Sequence, residues 1–157
     1  MATQSNQFLN TQWAKAVFDT AATDSAGVAN TTIASHGLGV YLPSGAVITR
    51  AFYMVDTTFT SAGADAGTIA LTVNAAGDLK AAIAISDASN VWDAGLHGCL
   101  PSAYALDGNA LTAIAMAAAQ AASFVTTTAK REITATVATQ VLTAGKLTLF
   151  VEYFVNL

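Results

Sequence analysis

The stretch Lys130-Arg131-Glu132-Ile133-Thr134-Ala135-Thr136-Val137-Ala138-Thr139-Gln140-Val141-Leu142-Thr143-Ala144-Gly145-Lys146-Leu147-Thr148-Leu149-Phe150-Val151-Glu152-Tyr153-Phe154-Val155-Asn156-Leu157 decides the fold class. Its first half alternates Ile133, Ala135 and Val137 with Thr134, Thr136 and Thr139. Its second half alternates Leu147, Leu149, Val151, Tyr153 and Val155 with Thr148 and Glu152. A period of two turns one face of each segment toward a core, so both halves are β-strands. Between them Thr143-Ala144-Gly145-Lys146 offers a glycine for the positive φ of a short connection, which predicts a hairpin. The outward threonines are uncharged, and exposed edges are ordinarily guarded by charge. The hairpin is therefore expected at the centre of a sandwich, or at an edge that another subunit covers.

At 157 residues the chain fits one domain with a substantial core. Only 10% of its residues are charged, against an ordinary value of about 25%, while 35 Ala and 21 Thr exceed a third of the chain. Such an exterior repels its own copies weakly, which points to a component of an assembly. The net charge is −4, and Lys130-Arg131 is the one adjacent basic pair, so no basic stripe exists for nucleic acid. The lone Cys99 reads as a buried thiol packed as a small hydrophobe. Met1 to Leu9 lacks the basic and apolar regions of a signal peptide, so synthesis in a cytoplasm is expected. The uncharged stretch Asn109 to Ala129 is too rich in Thr, Ser and Ala for a membrane span, and no membrane partner is expected.

Along the chain, residues 1–12 read as an extended N-terminal arm and residues 13–157 as a single β domain. Trp13 to Thr20 alternates weakly, with Trp13, Lys15, Val17 and Asp19 on one side, and predicts an edge strand. Thr31 to Ala34 opens another strand, and Pro43-Ser44-Gly45 predicts a tight turn. Val47 to Phe59 is the strongest central strand. Both of its faces are apolar, which suits a sandwich interior or a subunit contact. Thr68 to Val73 predicts a further strand and Asn74 to Asp78 a turn, while Lys80 to Ile85 fits a strand or one helical turn, with the strand preferred. Ser86 to Asp107 is a long loop that carries Trp92 and Leu96, the best candidate contact region. Leu111 to Val125 fits either a helix or a strand.

Chemistry is sparse. His97-Gly98-Cys99 has the wrong spacing for a zinc pair, and no metal site is expected. Asp65, Asp78, Asp87, Asp93 and Asp107 stand singly beside Gly, Asn or Ser, where turn formation accounts for them better than calcium. Gly-x-Ser-x-Gly is absent, neither His36 nor His97 has a nucleophile context, and no catalytic residue or cofactor site is assigned. Trp13 and Trp92 could line a sugar groove, although packing or interface anchoring suits them better. Asn30-Thr31-Thr32 matches a glycosylation acceptor.

Three phrases carry a family resemblance: Leu42-Pro43-Ser44-Gly45-Ala46-Val47-Ile48-Thr49-Arg50, Ser86-Asp87-Ala88-Ser89-Asn90-Val91-Trp92-Asp93-Ala94-Gly95, and Arg131-Glu132-Ile133-Thr134 with Leu142-Thr143-Ala144-Gly145-Lys146-Leu147. Over roughly residues 35–155 the chain resembles the capsid decoration, or cement, proteins of tailed bacteriophages. That resemblance implies an all-β, jelly-roll-like antiparallel sandwich bound outside the phage head. It further implies major capsid protein as partner and a homo-oligomer, with a trimer ahead of a dimer. On this reading Phe8, Leu9 and Trp13 near the arm, with Trp92 and Leu96 in the long loop, are the expected interface anchors. The small-residue faces near Ala113 to Ala122 would serve self-association. A tail, neck or fibre component is the alternative within a virion, and a carbohydrate-binding β-sandwich is the alternative from another class.

Overall fold

The computed structural model describes residues 11–99 and 125–155. Phe8, Leu9 and nearly all of the arm, as well as the Ala113 to Ala122 faces and the helix-or-strand question over Leu111 to Val125, lie outside the described residues. The described residues form nine strands: β1 (Gln12–Asp19), β2 (Ser35–Leu42), β3 (Ala46–Ser61), β4 (Thr68–Thr72), β5 (Lys80–Ala84), β6 (Gly95–Cys99), β7 (Val125–Thr126), β8 (Arg131–Ala138) and β9 (Leu142–Val155). All pairings are antiparallel and fall into two sheets, which pack as a sandwich. The front sheet has the order β1-β9-β3-β6, with the two-residue β7 also on β3, and the back sheet has the order β2-β8-β4-β5. The pairs β4–β5, β3–β6, β2–β8 and β1–β9 are nested about the β4–β5 hairpin, and alternate pairs fall in alternate sheets.

The expected hairpin at the C-terminus is corrected by this topology. β8 and β9 do not pair: β8 lies between β2 and β4 in the back sheet, and β9 between β1 and β3 in the front sheet. The alternation correctly assigned the inward faces, since Ile133, Ala135, Val137, Leu147, Leu149 and Val151 are all at most 1% exposed in one core. Periodicity, however, says nothing about which strand lies alongside. The crossing between the sheets is made at Thr139–Val141, where Thr139 adopts φ 69°, and not at Gly145, which sits within β9. Both strands are central in their sheets, so the expectation of a sandwich centrepiece holds for each separately.

Two expectations are corrected: Thr31 to Ala34 forms turns and not the start of a strand, and the expected long loop from Ser86 contains the strand β6, which carries Leu96; the others meet the structure closely. β1 is an edge strand that starts at Gln12, with Ala16 and Phe18 buried and Trp13, Lys15 and Val17 exposed. β2 starts at Ser35, after the turn residues 31–34. The Pro43-Ser44-Gly45 turn closes with Ala46 N–H donating to the Pro43 carbonyl, and Gly45 takes φ 76°. Asp78 holds the β4–β5 turn by accepting from the backbone N–H groups of Val73, Asn74 and Ala75 at 2.8–2.9 Å. Burying each Val, Leu or Ile of this core contributes about 1.5–3 kcal/mol.

Four aromatic rings run through the core, three from the front sheet and Trp92 from the connection between β5 and β6. Phe18 stacks on Phe59 with centroids 5.9 Å apart, Phe59 meets Trp92 edge-on at 6.1 Å, and Trp92 lies 5.5 Å from Tyr53. Their polar atoms are satisfied within the core: Tyr53 Oη donates to the Val91 carbonyl at 2.9 Å, and Trp92 Nε1 donates to the Ile83 carbonyl at 3.0 Å. A large aromatic is tolerated at full burial when its polar end finds such a partner.

Candidate interaction surface

The outer face of the front sheet is built by the same alternation that builds the core. Across the register, Trp13, Glu152 and Arg50 form one row; Lys15, Phe150, Phe52 and Gly98 form the next. Val17, Thr148, Met54 and Leu96 form the third, followed by Asp19 and Lys146, with Asp56 at a bulge beside them. Apart from Lys15 and Thr148 the two middle rows are apolar, and with Trp13 of the first row they open to solvent: Leu96 is 65% exposed, Trp13 49%, Val17 41% and Met54 39%. Phe52 stacks on Phe150 at 5.1 Å, and Trp13 meets Phe52 edge-on at 5.8 Å. A contiguous exposed apolar patch of this kind marks an interaction site more often than scattered single residues do.

Charges bracket the patch at both ends. Arg50 Nε donates to Glu152 Oε2 at 3.1 Å, and the Arg50 guanidinium stands 5.5 Å from the Trp13 ring centroid. At the other end Lys146 Nζ lies 3.0 Å from Asp19 Oδ2. The Ala21 backbone N–H, aided by Lys146, holds the Asp19 carboxyl below the usual carboxylate range. Thr148 Oγ1 donates to Asp56 Oδ2 at 3.1 Å. An apolar centre with a polar rim is the general anatomy of a protein interface.

Of the anchors expected from sequence, the structure brings Trp13 and Leu96 onto this one face. Trp92 is corrected: it is 1% exposed and belongs to the core, because Val91, Tyr53, Phe59 and Ile83 enclose it. The sugar-groove alternative loses Trp92 for the same reason. Phe52 and Phe150, at the centre of the patch, escaped assignment as anchors. Their strands were legible, but only the β3–β9 pairing places the two rings side by side.

The titratable groups are structural in their contacts. His36, fully buried, has Nδ1 3.1 Å from Asp24 Oδ2 and Nε2 2.9 Å from the Thr32 carbonyl oxygen. Asp24 also accepts from the Val28 and Ala26 N–H groups, and the Val28 bond leads in drawing its carboxyl below the ordinary value. Asn30, in the glycosylation pattern, is buried and donates through Nδ2 to the Asp19 carbonyl. His97 Nε2 lies 2.7 Å from the Asp93 carbonyl oxygen, and its ring stacks 5.3 Å from Tyr53. Cys99 is buried, donates to the Leu79 carbonyl at 3.2 Å, and has its thiol pushed up to about 12 by desolvation. Among the described residues no group of three or more His, Cys, Asp or Glu is arranged to hold a metal.

No protein-family profile and no curated protein matches the chain. Solved structures do. A chain from the acid-stable capsid of Helicobacter pylori bacteriophage KHP30 is similar over 92% of this chain and 87% of its own length, with a TM-score of 0.54 and 15% identity. A chain from the capsid asymmetric unit of cyanophage Pam1 is similar over 99% and 93%, at TM-score 0.55 and 17% identity. A chain from the capsid of Ralstonia phage GP4 is similar over 100% and 92%, at TM-score 0.51 and 16% identity. The chain thus has a fold found in chains of three phage capsids.

Proposed function

We propose that this chain, built on a fold found in phage capsids, is a structural protein of a virion, and that it decorates the outside of the head. The observation that carries the reading is fold likeness over nearly the whole length of chains from three separate phage capsids. The nested strand pairing supports a jelly-roll reading of the sandwich. The exposed apolar face and the uncharged exterior support a life in contact with other subunits. The contacts of both histidines and of Cys99 are internal, so they supply stability and suggest no substrate.

In this role the work is mechanical. A decoration protein that touches two neighbouring capsid subunits converts the second contact into an intramolecular event, so weak contacts add to firm attachment and resist outward pressure. Major capsid protein is the partner, and attachment follows assembly in the host cytoplasm. Ile33 and Val141, exposed by 54% and 45%, support a capsid contact point away from the front sheet. The segments that carry them are joined where Leu142 N–H donates to the Thr31 carbonyl.

Copy-counted mass spectrometry of purified virions tests this reading. The expected result is an abundance near that of the major capsid protein. A count of a few copies per particle would move the chain to a tail, neck or fibre, and its absence from virions would end the proposal.

A further inference from the structure

We propose that the outer face of the front sheet is an isologous interface, pairing two copies of this chain about a two-fold axis that runs along the strands between β9 and β3. The inference rests on the self-complementarity of the face, independently of where in a particle the chain sits. A two-fold in that position exchanges β9 with β3 and β1 with β6 and keeps each row opposite itself. Glu152 then faces Arg50 of the second copy, and Lys146 faces Asp56. Phe150 faces Phe52, and Val17 faces Leu96. The Glu152, Phe150 and Val17 positions follow from the register within one copy, and Asp56 stands at the bulge beside Thr57, the register partner of Lys146.

The chemistry of the face favours this occupant over a charged one. Its three cations, Lys15, Arg50 and Lys146, are balanced by three carboxylates, Asp19, Asp56 and Glu152. A nucleic acid or an acidic surface gains little from a face that is neutral overall and on which Arg50 is already paired with Glu152 and Lys146 with Asp19. A second copy presents Phe150 to Phe52 and Val17 to Leu96, sets Lys15 at the sheet edge against Gly98, and places opposite charges at both ends. Packed sheets cross at about 30°, and that rotation leaves the central Phe52 and Phe150 pairs opposed. At the ends, the long side chains of Arg50, Lys146 and Glu152 span the offset. An isologous pair also favours a dimer over the trimer that the family resemblance put first.

Sedimentation velocity of the purified full-length chain over a range of concentrations tests the pairing, using Val17→Lys, Leu96→Glu and the two combined. Both positions are exposed, so circular dichroism should be unchanged in all three. Within one copy residues 17 and 96 lie on strands three apart, about 14 Å at strand spacing, which is too far for them to meet. The expected result is a dimer for the unsubstituted chain. Each single change should weaken it by about tenfold or more, and the combination should restore it, because a lysine at 17 then meets a glutamate at 96 of the other copy. A chain that is monomeric at every concentration overturns the proposal and leaves the face for a different partner. A double variant no better than its singles, or a trimer indifferent to both changes, overturns it equally.

Discussion

Gly145 lies against the ring of Phe59, so closely that an added Cβ would stand 2.0 Å from Phe59 Cδ1. Phe59 is 1% exposed and held between Phe18 and Trp92, so it has no room to retreat. Gly145 also has φ 138°, a conformation costly for other residues. Gly145→Ala should therefore cost about 2–3 kcal/mol in chemical denaturation, the scale of overpacking a core. Gly27→Ala is the control: its φ is +83° but nothing lies within 4 Å, so only backbone strain of about 1 kcal/mol is expected. Equal losses for the two variants would contradict the contact.

Trp92→Ala should behave as a core deletion. Removal of a fully buried aromatic costs about 3–5 kcal/mol, and here the Ile83 carbonyl loses its donor as well. Urea denaturation should show that loss. A stable, fully folded Trp92→Ala protein would place the indole at the surface after all.

Stability should fall in acid through a small set of carboxylates. The Asp19 and Asp24 carboxyls are held below 3.8, chiefly by backbone N–H donors, with Lys146 and His36 contributing. A lowered folded-state value means that their contribution is complete above the ordinary carboxylate range and is lost as pH falls through the folded values. Melting temperatures should thus begin to fall below about pH 4, the unfolded carboxylate range, and Asp24→Asn should flatten that slope. A variant that keeps the parent's acid profile would show that the Asp24 contacts do not carry it.

The Cys99 thiol, buried on β6 and pushed up to about 12, should resist a thiolate-trapping reagent in the folded protein and react at once in denaturant. Labelling of the native protein at the rate of an exposed thiol would mean that β6 opens far more readily than its pairing with β3 suggests.

The strands themselves were readable because each inward position is fixed by local alternation: Ala16 and Phe18 in β1, Ile69 and Leu71 in β4, Leu147 to Tyr153 in β9. Partner choice was not, since the inward faces of β8 and β9 look the same whether the two strands pair or cross between sheets. Gly145 misled for a physical reason. A glycine signals either a turn or a close approach, and here the approach of Phe59 is the cause. Trp92 misled because a large aromatic among Ser, Asp and Asn reads as a loop anchor, whereas its neighbours fold over it. The interaction surface was half legible: exposed Trp13 and Leu96 stood out singly, but Phe52 and Phe150 become a patch only through the long-range register of β3 with β9.

Cryo-electron microscopy of purified virions tests placement on the head most directly. The account predicts ordered density for this sandwich on the outer capsid surface, repeated at equivalent positions and bridging neighbouring capsid subunits. Heads whose outer surface carries no such density, or density for the chain confined to the tail or neck, would contradict it.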